Sequence, residues 1–253
     1  RACAENDRVI VTLFVNPKQF NNPEDLAKYP RTEDSDAAKL TPYGADVLYV
    51  PDGAQMYPEG FATTISVTGV SEGLCGGARP GHFDGVATVV TKLFLQCDAD
   101  RAYFGEKDYQ QLQVVTRLCE DLDLNTEIVG CPTIREEDGL AMSSRNLRLG
   151  AGPRKTAPMI AQVLEDAARV IARGGHVEQT IDKAKKALLS AGFDSIDYLE
   201  LRSVPDLKLM TSADRPSRLF LAAWLDGVRL IDNVFVADLA SVGKSKDRPL
   251  EPA

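Results

Sequence analysis

The sequence predicts an α/β protein with a parallel sheet, followed by a smaller C-terminal α+β domain. Three observations predict it. Short β-branched and aromatic runs alternate with helical stretches through the first half of the chain. After about Arg145 that alternation stops, and two amphipathic helices are followed only by strand-like runs. An Asp226-Gly227 pair divides the last of those runs, as the turn of a hairpin does.

The elements follow in order. Arg8 to Val15 (RVIVTLFV) is nearly continuous apolar and β-branched sequence, the pattern of a strand buried on both faces, and Asn16-Pro17 ends it. Asp46 to Val50 is a second strand stopped by Pro51, Arg101 to Phe104 a third stopped by Gly105, and Thr126 to Val129 a fourth stopped by Gly130. Between them, Glu24 to Leu40 and Val86 to Gln96 read as helices. Tyr109 to Leu122 places Leu112, Val115, Leu118 and Leu122 on one helical face. Strand–helix alternation implies right-handed crossovers. Pro153 to Ile171 is predicted as one amphipathic helix ending at Gly174-Gly175, and Val177 to Leu189 as another. Ile196 to Leu201, Arg218 to Leu225 and Val228 to Val236 form an expected antiparallel meander. The polar tail from residue 241 to 253 is expected to be disordered. The expected division is residues 1–134, 135–240 and that tail.

Composition narrows the classes. The 253 residues are 44% hydrophobic and 26% charged, enough chain for one or two domains with a real core. The net charge of -8 argues against coating a nucleic acid or an anionic membrane. The longest apolar run, Leu219 to Leu225, falls far short of the roughly 20 residues of a membrane helix. The polar start, Arg1 to Arg8, lacks a signal-peptide pattern, and a chain that opens on Arg1 so near a strand reads as one whose beginning is missing. Five cysteines without a C-x-x-C read as free thiols in the cytoplasm, and only two histidines exclude a His-rich metal site.

Ligands of open α/β sheets bind at the carboxyl ends of strands. Asn16 to Phe20 follows the first strand, where Gln19 either caps a turn or orients a small hydroxylated or carboxylated substrate. Gly105-Glu106-Lys107-Asp108 follows the third and runs into a helix. Gly105 would let the backbone turn toward a ligand, and Lys107 suits phosphate oxygens. Asp108 is either an N-cap or a partner for ribose hydroxyls. The loop is not a Walker A motif. Arg135 to Asn146 carries Ser143, Ser144 and Arg145, which are either linker residues or a phosphate-binding set. Gly76 to Gly85 carries Arg79 and His82, in a flexible loop or a cationic lip for an anionic substrate.

FVNPKQF (Phe14 to Phe20), YPRT (Tyr29 to Thr32), ARPGHFDGVATVVTKLF (Ala78 to Phe94), FGEKDYQQL (Phe104 to Leu112), REEDGLAMSSRN (Arg135 to Asn146) and RLIDNVFV (Arg229 to Val236) closely resemble the pantoate–β-alanine ligase, or pantothenate synthetase, family. The resemblance implies a Rossmann-like nucleotidyltransferase domain with a C-terminal lid. It implies adenylation of pantoate by ATP with Mg2+, then attack of β-alanine on the pantoyl adenylate, giving pantothenate, AMP and pyrophosphate. By position it makes Gln19 and Gln111 pantoate ligands, with Asn16, Arg79 and His82 in the same pantoate and β-alanine set. Gly105, Glu106, Lys107, Asp108, Ile134, Met142, Ser143, Ser144 and Arg145 become ATP contacts, with Lys107, Ser143, Ser144 and Arg145 acting in catalysis. Arg135 to Asn146 is the expected hinge, and a homodimer is the expected assembly. Asp34 and Asp36 are the acidic pair nearest Tyr29, and they read as a solvated helix face before they read as metal ligands.

One departure stands out. The family opens with a strand and an H-x-G-H signature that has no counterpart here, and neither His82 nor His176 replaces it. The expectations are an open hydrophobic edge at Arg8 to Val15 and weakened adenylation. Two rivals therefore stay beside the ligase: an impaired paralogue that acts as a binding or dimerisation partner, and a different nucleotidyltransferase.

Overall fold

The computed structural model describes residues 1–21, 26, 27, 29 and 32–237. The chain divides into two compact units: Arg1–Phe104 with Gln111–Cys131, and Gly105–Gln110 with the chain from Pro132 onward. The expected tail, residues 241–253, lies outside the described residues.

In the first unit, β1 (Ile10–Thr12) runs parallel to β2 (Val47–Tyr49), with Val11 opposite Leu48. β3 (Arg101–Gly105) pairs with β4 (Glu127–Cys131). β1 and β2 are shorter and more open than the sequence predicts, whereas β3 and β4 each have five residues where four are expected. Of the run Arg8 to Val15 only Val9 is buried, while Ile10 is 41% exposed and Val47 48%. The reason is topological: among the described residues β1 has one strand neighbour, so its other edge stays uncovered.

Among the described residues, three helices of eight or more residues accompany these strands, besides the short helical turns Ala2–Glu5, Gly53–Met56 and Leu74–Ala78. α1 (Glu33–Leu40) carries Glu33, Asp34 and Asp36 in its first turn and Lys39 in its last, each placed to suit the helix dipole. It covers only the second part of the expected Glu24 to Leu40 helix, and several residues of the first part lie outside the described set. Asp36 accepts from Thr32 Oγ1 at 2.9 Å and pairs with Lys39 at 3.0 Å, while Asp34 is exposed on the first turn of the helix. α2 (His82–Cys97) buries nearly all of its first half, including Phe83, Val86 and Ala87. α3 (Tyr109–Asp121) buries Leu112, Val115 and Leu118, but Leu122 is 47% exposed. The helix stops before Leu122, and Asp123 turns the chain with a φ of 49°.

The second unit holds a continuous apolar core. α4 (Met159–Ala172) and α5 (Val177–Ser190) pack on the sheet β5 (Ser195–Ser203), β6 (Ser217–Leu225) and β7 (Val228–Val236), through Ile160, Leu164, Ile171, Leu188, Leu199, Leu219 and Leu221. The sheet is antiparallel with β6 in the centre. Asp226 and Gly227 take φ of 54° and 66°, the two positive values of a tight primed hairpin turn. The single helix expected from Pro153 is two: a short helix, Ala151–Thr156, precedes α4, and Pro158 stands at the break. Proline lacks the N–H that would continue the ladder.

Gly105–Gln110 also differs from expectation. It runs from the last residue of β3 into the first turn of α3, yet it groups with the second unit. Side chains of β6 and β7 hold it there.

Candidate active site

In the first unit, the turn after β1 is a short 3-10 helix, Pro17–Gln19, capped by Asn16, whose side chain accepts from Lys18 N–H. Asn16 is 1% exposed, and its hydrogen bonds set its orientation. Its Nδ2 donates to Gly85 O at 3.0 Å, and a carbonyl only accepts. Its Oδ1 therefore accepts, taking the Tyr57 hydroxyl at 2.8 Å. Burial pushes the Tyr57 phenol up to about 12, so it remains a donor at neutral pH. The Asn16 amide also faces Gln19 Oε1 at 3.3 Å, which leaves the Gln19 Nε2 hydrogens for another acceptor.

The Gln19 backbone is gripped as well. Arg79 Nη2 donates to Gln19 O at 3.0 Å, and His82 Nδ1 lies 2.9 Å from the same oxygen. His82 Nδ1 must carry the proton there, so Nε2 accepts from Arg79 Nη1 at 3.2 Å. His82 is thus a neutral, buried brace of Gln19, and together with Arg79 it supports the turn. Gly85 is required at this contact. A Cβ there would overlap Lys18 O and sit 2.8 Å from Gln19 N. Gly85→Ala is expected to cost about 1–3 kcal/mol by overpacking. If Gln19 orients a ligand, the same change should raise KM for that ligand more than it lowers kcat. Unfolding and kinetic measurements on the one variant check both. Gln111 is half-buried on α3 of the same unit.

In the second unit, Lys107, Ser143, Arg145, Asn146, Arg229 and Asp232 line one cavity together with Leu140 and Ile160. Three of the four expected catalytic residues therefore converge; Ser144 is exposed beside them. Lys107 is the more enclosed partner of a 3.8 Å ion pair with Asp108, its side chain 18% exposed. Gly105 has an ordinary φ of -71° and an added Cβ would meet nothing within 4 Å. The turn does not require glycine, contrary to the sequence argument; open space is what Gly105 leaves.

The segment from Ile134 to Asn146 is cross-braced rather than slack. Arg135 and Ala141 form an antiparallel bridge, and Met142 N–H donates to Ile134 O at 2.9 Å. Asn146 Nδ2 donates to Glu136 Oε1 at 2.6 Å and Ala141 O at 3.1 Å. Arg154 pairs with Glu136 and, at 2.6 Å, with Asp138. Ser143 caps the 3-10 turn Ser144–Arg148 by accepting Arg145 N–H at 3.2 Å. Ile134 and Met142, whose backbones are joined, are 67% and 55% exposed.

Sequence reasoning missed the foundation of this cavity. Asp232, whose side chain is 1% exposed, binds Arg135 through two bonds of 2.6 and 3.0 Å. That carboxylate and its hydrogen bonds hold the Arg135 guanidinium above its usual range. Asn233 donates to Glu106 O and Lys107 O. Arg218 donates to Glu106 Oε2. A signal exists: Asp232-Asn233 is a polar pair inside an apolar strand run, and both are buried. The described residues hold no group of three His, Cys, Asp or Glu side chains arranged for a metal, and no helix among them is long and apolar enough to cross a membrane.

Fold and cavity define a class, an α/β protein with a cavity lined by Lys107, Arg145 and Arg229 beside the Ser143 hydroxyl. Comparison with known proteins makes the class specific. Residues 1–235 match the family model for pantoate-beta-alanine ligase, and the chain belongs to that family. It is 63% identical over 239 residues to the pantothenate synthetase of Chelativorans sp. (strain BNC1), covering 94% of this chain and 84% of that protein. The crystal structure of pantothenate synthetase from Thermus thermophilus superposes with a TM-score of 0.87 at 44% identity, over 91% of this chain and 84% of that one. The Francisella tularensis pantoate-beta-alanine ligase, complexed with beta-gamma ATP and beta-alanine, gives 0.77 at 36% identity, over 91% of this chain and 80% of that one.

Proposed function

We propose that the chain condenses pantoate with β-alanine at the expense of ATP, through a pantoyl adenylate. The observation that carries this reading is the cavity shared by Lys107, Ser143 and Arg145. The pantoate carboxylate attacks the α-phosphorus, a new acyl–phosphate bond forms, and pyrophosphate leaves. The amine of β-alanine then attacks the acyl carbon, AMP departs, and the amine proton is released. Lys107 and Arg145 offset the charge that grows on the phosphoryl oxygens, and Ser143 and Ser144 donate to them. Glu106 shapes the loop, Asp108 meets the ribose, and Ile134 with Met142 forms the apolar platform for adenine. Gln19 presents its Nε2 hydrogens to pantoate, joined by Gln111, while Asn16, Arg79 and His82 fix Gln19.

Mg2+ would neutralise triphosphate charge, and it often binds through substrate phosphates with few protein ligands. The described residues form no cage for it, so none is assigned to it. A homodimer is proposed on the family resemblance, and a cytoplasmic setting on the five free thiols.

The test is pyrophosphate exchange into ATP by this chain, with and without pantoate, followed by β-alanine addition. Pantoate-dependent exchange, then an amide product with AMP, is the expected result. Exchange that ignores pantoate would mean another nucleotidyltransferase. No nucleotide binding at all would favour the non-catalytic paralogue. The Gln19→Ala variant should raise KM for pantoate and leave KM for ATP near its original value.

A further inference from the structure

We infer that Asn233 is a positioning residue for Lys107, and that β7 sets the spacing between the two phosphate-binding segments; this rests on the reading of Lys107 as a nucleotide ligand. Asn233 is 3% exposed. Its Nδ2 donates to two successive carbonyls, Glu106 O at 2.9 Å and Lys107 O at 3.0 Å. Carbonyls only accept, so the amide orientation is settled. Its Oδ1 is buried and has no partner among the described residues. An amide kept there with an unsatisfied acceptor is present for its donors.

A second anchor supports the first. Arg218 on β6 donates from Nη1 and Nη2 to Glu106 Oε2, each at 3.0 Å, and its guanidinium lies 4.2 Å over the Tyr109 ring. Tyr109 in turn meets Phe220, with ring centroids 6.0 Å apart. Glu106, Lys107 and Tyr109 are therefore tied to β6 and β7, and only the flexible stem of Lys107 is left to adjust.

The neighbouring residue does the matching work on the other segment. Side chains alternate along a strand. Asp232 binds Arg135, at the root of the segment that carries Ser143 and Arg145. Consecutive residues of one strand thus anchor the Lys107 loop and the Ser143–Arg145 segment. A misplacement of about 1 Å can cost about 100-fold in rate, so this shared anchor bears directly on catalysis.

The experiment compares the full chain with Lys107→Ala, Asn233→Ala and the double variant. ATP affinity is read by calorimetry, and kcat/KM by pantoate-dependent pyrophosphate exchange. Asn233→Ala is expected to lower kcat/KM between about tenfold and about 100-fold. Adding it to Lys107→Ala should cost little more, because its effect runs through Lys107. An undiminished loss in the Lys107→Ala background would overturn the inference. A Lys107→Ala variant equal to the wild type would instead remove the reading of Lys107 on which it rests. If Asn233→Ala does not melt cooperatively, Arg218→Lys replaces it in the same cycle and must show the same non-additivity.

Discussion

Replacing Lys107 by alanine is expected to lower pantoate-dependent pyrophosphate exchange by about 10²–10³-fold, the usual loss for one donor aimed at developing charge. The expectation comes from where the ammonium sits. Its side chain is 18% exposed, and it shares a cavity with Ser143 and Arg145. Partial enclosure strengthens its attraction for a phosphoryl oxygen relative to the same charge in open water. Its carboxylate partner, Asp108, is 3.8 Å away and half-exposed, which leaves the ammonium poorly neutralised by that pair. Its charge is therefore available to an anionic ligand in the cavity. If Lys107 acts on the transition state, kcat and kcat/KM should fall together, whereas loss of ground-state binding alone would raise KM for ATP at constant kcat. Lys107→Arg should recover only part of the activity, because a planar fork replaces a point charge. A Lys107→Ala enzyme within about threefold of the wild type, a difference of about 0.6 kcal/mol in barrier, would remove this residue from the phosphate site.

The contrast between the two units shows what a sequence carries legibly. The meander Ser195–Val236 is readable because each strand is bounded locally: Asp226-Gly227 turns with two positive φ values that glycine and aspartate tolerate. The Arg8 to Val15 run misleads because burial is not local. Its apolar pattern is that of a two-sided interior, but among the described residues β1 has only β2 beside it, and Ile10 is exposed. Pro158 is the visible breaker inside the expected helix from Pro153, and apolar periodicity across it masks the break.

The candidate site divides the same way. Lys107, Ser143 and Arg145 stand out as charged or hydroxylated residues after turns. His82 also stands out, and its sequence gives no hint that both ring nitrogens are engaged in holding Gln19 and Arg79. Asp232 and Asn233 belong to a family motif, yet no task can be read for them there, because their partners lie 97 and 126 residues away. Such long-range bonds have no local signature beyond polarity in an apolar strand.

The largest stability effect is expected from Asp232. Its side chain is 1% exposed, and its partner Arg135 is 25% exposed. Removing one partner of a buried, doubly hydrogen-bonded pair leaves the other charge uncompensated, at a cost of about 3–5 kcal/mol. Asp232→Ala should therefore lower the unfolding midpoint of the second unit by roughly 6–20 °C. One further bond is made to the same carboxylate, from Asn233 N–H to Asp232 Oδ1 at 2.8 Å, and the Arg135 guanidinium that it pairs with donates from Nη1 to Gly139 O at 3.1 Å. Loss of the carboxylate thus loosens the base of the Ser143–Arg145 segment as well as the core, and ATP affinity should fall with stability. Asp232→Asn keeps the shape and one acceptor, so it should lie between wild type and Asp232→Ala. The double variant Arg135→Ala with Asp232→Ala separates pairing from packing: it should be less destabilised than the sum of the single changes, because no buried charge is left alone. Strict additivity in denaturant unfolding would mean that the two residues stabilise the unit independently, and that the geometry of their bidentate contact has no energetic consequence.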